Sequence, residues 1–166
     1  MSFAAGILAG KSAIVTGGAT GIGAYIVRKL GSLGAQVGIV SRKEENLQRA
    51  VAAFKADDSI EVNYRVGDVR DPELISGAIA SLAEQQGGLD YLVCNAAGNF
   101  ICPTEQLSAN GWKTVIDIDL NGTFHCCQAA LPFLKQAKDG GRIVSISTTG
   151  ANFGWPGAVH AGAAKA

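Results

Sequence analysis

The sequence predicts an α/β fold: a doubly wound parallel sheet, Rossmann-like, with helices on both faces. Three observations carry this expectation. Short apolar runs alternate five times with longer amphipathic stretches, with no tandem repeat or linker between them. The first strand-like run meets the first helical stretch through a glycine-rich turn, "VTGGATGIGAYI", where such folds hold a pyrophosphate. Finally, 166 residues with 48% hydrophobic and 17% charged content make a single globular domain, residues 1–166, large enough for a real core.

The elements follow in order. "KSAIVTGG" is a β-branched run stopped by glycines and reads as a buried strand. "GIGAYIVRKLGSLG" places Ile22, Ile26, Val27 and Leu30 at helical spacing and ends on glycine. "AQVGIVSR" is the second strand, and "KEENLQRAVAAFKA" is a charged helix with Leu47, Val51 and Phe54 on one side. "IEVNYRV" alternates as a third strand. "DPELISGAIASLAEQQGG" opens with Asp71 as a helix N-cap and Pro72 at the first helical position. "LDYLVCNAAG" is a fourth strand running into a loop of small residues. "NGWKTVIDIDLNGTFHCCQAALPFLKQA" is a long helical pattern, expected to be disturbed near Asn121-Gly122. "GGRIVSIS" is the fifth strand, and "AVHAGAAKA" reads as the first turns of another helix. A parallel sheet needs both faces covered, so further C-terminal strands are expected to be missing from this chain.

Charge and composition narrow the partners. The 14 basic and 14 acidic side chains cancel, so no nucleic-acid or membrane-surface partner is expected, and any bound anion must be held locally. The cysteines at 94, 102, 126 and 127 lack C-x-x-C spacing, which predicts reduced thiols used as small apolar groups and no metal site. No apolar run approaches the roughly 18 residues of a membrane span. "MSFAAGILAGK" has no basic segment ahead of its apolar part, which argues against a secretory signal.

In the glycine-rich turn, Gly17, Gly18, Ala19, Thr20, Gly21 and Ile22 are the candidate phosphate-contacting residues. The spacing of Gly17, Gly21 and Gly23 is G-x-x-x-G-x-G rather than the general fingerprint. A NAD site would place a carboxylate at the end of the second strand. Here Ser41 stands there, followed by Arg42 and Lys43, which suit a 2′-phosphate and predict NADP(H). In "VIDIDLNG", Asp117 and Asp119 are two positions apart, so one helix turns them roughly 200° from each other. Trp112, Ile116 and Asp119 share one stripe, which sends Asp119 toward the sheet and Asp117 outward. A core acid bonded to backbone at the helix disturbance is the competing reading of Asp119.

"TGGATGIG", "DVR" at 68–70, "NAAG" at 95–98, Asn121 and a lysine following "SIS" resemble the short-chain dehydrogenase/reductase family over essentially the whole chain. The resemblance implies that Asp68 and Val69 meet the adenine. It implies that Asn95, Ala96, Ala97 and Gly98 line the nucleotide, and that Lys165 holds the nicotinamide ribose. The family's usual asparagine–serine–tyrosine–lysine site has Ala161 in its tyrosine slot here and Thr148 in its serine slot, with Lys165 and Asn121 retained. A narrower resemblance accounts for this departure. "NAAGNFICPTEQLS", "WKTVIDIDLNGTF" and "VHAGAAKA" are similar to the peroxisomal type of 2,4-dienoyl-CoA reductase. That likeness implies NADPH-dependent reduction of 2,4-dienoyl-CoA thioesters to enoyl-CoA in unsaturated fatty-acid breakdown. Asp119 would order the water that protonates carbon, with Lys165 and Asn121 as the other catalytic residues.

It further implies that Arg42, Arg70, Phe100 and Ser108 touch the acyl-CoA. His160 is read as packing and His125 as structural. The protein is expected to be soluble and intracellular, cytoplasmic in a bacterium or peroxisomal in a eukaryote, and a dimer or tetramer of like chains. Two alternatives stay open: a general alcohol/ketone oxidoreductase, and a non-catalytic NADP-binding protein.

Overall fold

A computed structural model describes residues 3–166; Met1 and Ser2, the first two residues of the expected domain, lie outside the described residues. The elements are β1 (Ser12–Thr16), α1 (Gly21–Ser32), β2 (Gln36–Ser41), α2 (Glu44–Asp58), β3 (Val62–Val66), α3 (Pro72–Gln85) and β4 (Tyr91–Cys94). A long helical stretch follows as α4 (Ala109–Ile116), a π turn (Asp117–Asn121) and α5 (Gly122–Leu134). β5 (Arg142–Ser145), the short α6 (Gly150–Phe153) and α7 (Val159–Lys165) complete the chain.

All strand pairs are parallel, in the order β3-β2-β1-β4-β5. The chain winds outward from β1 to β3, then returns to the other side of β1 with β4. The crevice between the C-terminal ends of β1 and β4 is therefore the topological switch point, where doubly wound sheets bind ligands. Every residue of β1 is buried, which explains its unbroken apolar run. One face packs Ile14, Leu92 and Val40 against Ile75, Ile79 and Leu82 of α3 and Cys126 and Ala130 of α5. The opposite face packs Val15, Val37 and Ile39 against Val27 of α1 and Leu47 and Phe54 of α2.

The N-cap at α3 is as predicted: Asp71 accepts from the N–H groups of Glu73 and Leu74, both at 3.0 Å, with Pro72 next. Ile22, a residue of the glycine-rich turn, is 65% exposed and lines the cleft at the head of α1. The long helix is disturbed where expected, by a π turn over Asp117–Asn121 that ends against Gly122. Its buried stripe runs Val115, Asp119, Gly122, Cys126, and Trp112 is left exposed. Among the described residues no helix is long and apolar enough to cross a membrane, and no cluster of three metal-ligating side chains occurs. The four cysteines are free. Burial and the neighbouring thiol raise Cys127 to about 11, so it stays protonated and behaves as an apolar group.

Candidate active site

Two adjoining hollows occupy the C-terminal side of the sheet. The first is a cleft of about 520 Å³ lined by Gly17, Thr20, Ile22, Gly23, Ser41, Arg42, Lys43, Asp68, Val69, Asn95, Ala96 and Ala97, among others. Its floor is set by close backbone contacts. The Thr16 hydroxyl accepts the N–H groups of Asn95 and Ala96, each at 3.1 Å. The Asn95 amide donates to the carbonyls of Thr16 (3.0 Å) and Gly17 (3.2 Å), bracing β4 against β1. Gly17 sits at φ +65°, and a Cβ at Gly23 would lie 2.3 Å from the Gly17 carbonyl oxygen. Larger residues would therefore push the turn off the head of α1, where its N–H groups point. Gly18 packs against Ile39, and Ala19 packs on the core; with Gly21 and Gly98 they are absent from the cleft's lining.

At the far end of the cleft Ser41, Arg42 and Lys43 lie together. The nearby acid, Asp68, is paired with the Arg70 guanidinium, which holds its carboxyl below the ordinary range. The charge that Arg42 and Lys43 bring to the cleft at the end of β2 is thus positive. His125 contacts the Val69 carbonyl through Nδ1 at 2.9 Å, tying α5 to this loop.

The second hollow, of about 140 Å³, is lined by Ala97, Asn99, Asp119, Thr148, Gly150, Trp155, Ala158, Ala161, Gly162 and Lys165. Ala97 belongs to both hollows. The π turn directs Ile118 into the cleft and Asp119 into the second cavity. The Asp119 side chain is 0% exposed. Its Oδ1 accepts the Gly98 N–H at 2.7 Å. Its Oδ2 has no hydrogen-bond partner and lies 3.8 Å from Lys165 Nζ. Burial raises its pKa above the ordinary carboxylate range, against the opposing pull of the Gly98 N–H and Lys165. Lys165 Nζ donates to the Ile146 carbonyl at 2.8 Å, and its own carbonyl accepts from Ser147. These bonds hold the end of α7 against the segment that follows β5.

The structure therefore brings Asp119 and Lys165 together, with Thr148 and Ala161 beside them. It does not bring in Asn121, which is exposed and donates to Asp117 Oδ1 at 3.0 Å. The π turn is the reason, since it rotates Asn121 onto the outer face that carries the Lys113–Asp117 ion pair. The expected acyl-CoA contacts are dispersed. Arg42 lines the cleft, Arg70 is engaged by Asp68 in a separate surface hollow, and Ser108 caps α4 by accepting the Gly111 N–H at 3.0 Å. Phe100 packs between Gly111 and the His160 ring (centroids 4.6 Å apart) and does not line the cavity. Sequence reasoning missed Asn99 and Trp155; the Gly98–Asp119 bond is the backbone bond of the competing reading of Asp119, made at one oxygen only. A tryptophan between two glycines and a proline, "GWPG", was the available signal for Trp155.

Residues 11–166 match the family described as short chain dehydrogenase. The chain is 40% identical over 156 residues to the protein named "Probable 2,4-dienoyl-CoA reductase", (2E)-enoyl-CoA-producing, of Bacillus subtilis (strain 168), covering 94% of this chain and 61% of that one. It is 39% identical over 150 residues to the peroxisomal 2,4-dienoyl-CoA reductase, (3E)-enoyl-CoA-producing, of Arabidopsis thaliana, covering 86% of this chain and 50% of that one. Among solved structures, a short chain dehydrogenase from Bacillus anthracis str. 'Ames Ancestor' superposes with a TM-score of 0.84 at 39% identity, covering 94% of this chain and 64% of that chain. The chain thus spans between half and two thirds of the length of these relatives. With the family match running from β1 through α7 on the sheet order and crevice described above, the chain belongs to the short chain dehydrogenase family.

Proposed function

We propose that the protein reduces 2,4-dienoyl-CoA thioesters to enoyl-CoA with NADPH. One observation carries this reading: a buried carboxyl oxygen, Asp119 Oδ2, faces a cavity beside Lys165 where Ala161 leaves open the space a larger side chain would fill. The cavity, about 140 Å³, is several times the roughly 30 Å³ share of one water. A reduced nicotinamide, when bound, supplies a hydride. The glycine turn, Ser41, Arg42, Asn95 and Ala96 are the residues that would hold its dinucleotide, and Arg42 with Lys43 favours the 2′-phosphate form.

The protein's own groups then have two tasks. Hydride addition at the distal diene carbon moves an electron pair toward the thioester oxygen, where the Lys165 ammonium stabilises the negative charge. A proton must then reach carbon. Asp119 provides it, either directly as the protonated acid its burial favours or by polarising a water in the cavity. Protonation beside the new C–H bond gives a 2-enoyl product, and protonation next to the thioester gives a 3-enoyl product. The exposed Leu120, Phe124 and Leu131 of the π turn and α5 support association of like chains.

The test uses the full natural chain with 2,4-hexadienoyl-CoA and NADPH, with NADH in parallel. Asp119→Ala and Asp119→Asn are expected to lower kcat by ~10²–10⁴-fold, the usual worth of a positioned proton donor. The dissociation constant for NADPH should change little. Equal turnover by either variant removes Asp119 from the reaction, and equal use of NADH removes the phosphate preference. A general ketone reductase would instead consume NADPH with a simple ketone and none with the dienoyl thioester.

A further inference from the structure

We infer that Trp155 sets the acyl-chain selectivity of this site, by walling the route along which a chain longer than about six carbons leaves the cavity. The inference rests on the reading of the site as an acyl-thioester reductase. The cavity around Asp119 and Lys165 holds about 140 Å³, close to the roughly 150 Å³ void that accepts one benzene. It therefore takes the reacting end of a chain and no more.

The lining shows where the remainder goes. Ala158 and Ala161 are buried at 3% and 6% exposure and close off the inner wall. Ala97 opens toward the cofactor cleft, which the dinucleotide would fill. That leaves Asn99 and Trp155 as the exposed lining residues on the remaining side. Trp155 is the single bulky apolar one, half in the cavity wall and 55% exposed. Its surroundings hold it there. Gly154 and Gly157 flank it at φ +69° and +76°, and its carbonyl accepts the Ala158 N–H at 3.0 Å. The Gly157 carbonyl accepts the Cys102 N–H at 2.8 Å, tying the turn to the loop after β4. From that loop Ile101, 76% exposed, meets the turn at Gly157, so the outer surface continues apolar. An exposed indole on a pinned turn is a surface an alkyl chain would cover, each buried methylene being worth about fourfold in affinity.

The test compares kcat/KM for 2,4-decadienoyl-CoA and 2,4-hexadienoyl-CoA in the parent, Trp155→Ala and Trp155→Phe, using the full natural chain. The parent should prefer the longer substrate. The ratio should fall about tenfold in Trp155→Ala and about threefold in Trp155→Phe. NADPH binding, measured directly, reports that each variant is folded, and the phenylalanine variant carries the test should the alanine one misfold. A ratio within about 1.5-fold of the parent's in a folded variant overturns the inference. If the parent reduces neither thioester, the proposed function falls and this inference with it. If the parent reduces both and the ratio ignores position 155, the inference alone falls.

Discussion

Asp119 is the residue on which the proposed chemistry turns, and its two oxygens have different surroundings. One is saturated by a backbone N–H; the other is buried without a hydrogen bond, an arrangement that usually costs stability unless it serves a function. Burial lifts its folded pKa above the ordinary carboxylate value of about 3.9. Protonation therefore favours the folded state. The protein is free of this penalty below the ordinary value and bears it increasingly as pH rises through the folded one. Asp119→Asn keeps an acceptor for the Gly98 N–H and carries no charge. At pH 7–8 it should be at least as stable as the parent, by up to the order of 1 kcal/mol or about 2–4 °C in Tm. The difference should vanish toward pH 4. Thermal unfolding across that range checks this, and an asparagine variant less stable at pH 8 than at pH 4, relative to the parent, refutes it. The pair of acids was legible in sequence, as was the inward choice between them. The neighbours of the inward acid come from the loop after β4 and from α7: Lys165 was expected through the family resemblance, and no local pattern records the meeting with Gly98.

At the scale of elements, the π turn matters most. It carries Asp119 inward, Ile118 into the cleft and Asn121 outward, so the long helix presents two successive residues to two different hollows. An uninterrupted α-helix keeps one stripe, which is why the Trp112–Ile116–Asp119 alignment placed Asp119 well and Trp112 badly. The N-terminus of the same helix offers a separable test. Ser108 caps α4 through the Gly111 N–H. Ser108→Ala should lower stability by about 0.5–2 kcal/mol, while Ser108→Gly should lose only a few tenths. Chemical denaturation of both variants measures this. Equal losses would mean that the hydroxyl stabilises something other than the cap. If KM for acyl-CoA follows stability through the series, the serine acts on the helix and not on coenzyme A.

Over the whole molecule, the sheet is protected unevenly. β1 is wholly buried, whereas all four residues of β5 are exposed, with Ile143 at 43% and Val144 at 52%. An apolar strand at a sheet edge offers unpaired backbone for association. In the 166-residue chain, Val144→Lys should therefore raise the concentration at which light scattering begins. Its effect on unfolding free energy should stay within about 0.5 kcal/mol, as for other exposed positions. Unchanged scattering would show that self-association proceeds through another surface, such as the exposed Leu120, Phe124 and Leu131.

Periodicity, glycine placement and capping residues act locally. They were therefore enough to read five strands, their intervening helices, the glycine-rich turn and the positive end of β2 directly from the chain. Convergence is a different kind of fact. That Gly98, Asp119 and Lys165 meet, that Asn121 does not join them, and that Trp155 closes one side of their cavity depend on a single turn of π geometry and on the packing around it. They depend equally on contacts between residues tens of positions apart. Such contacts are selected by packing three elements against one sheet at once, a constraint that no window of sequence contains.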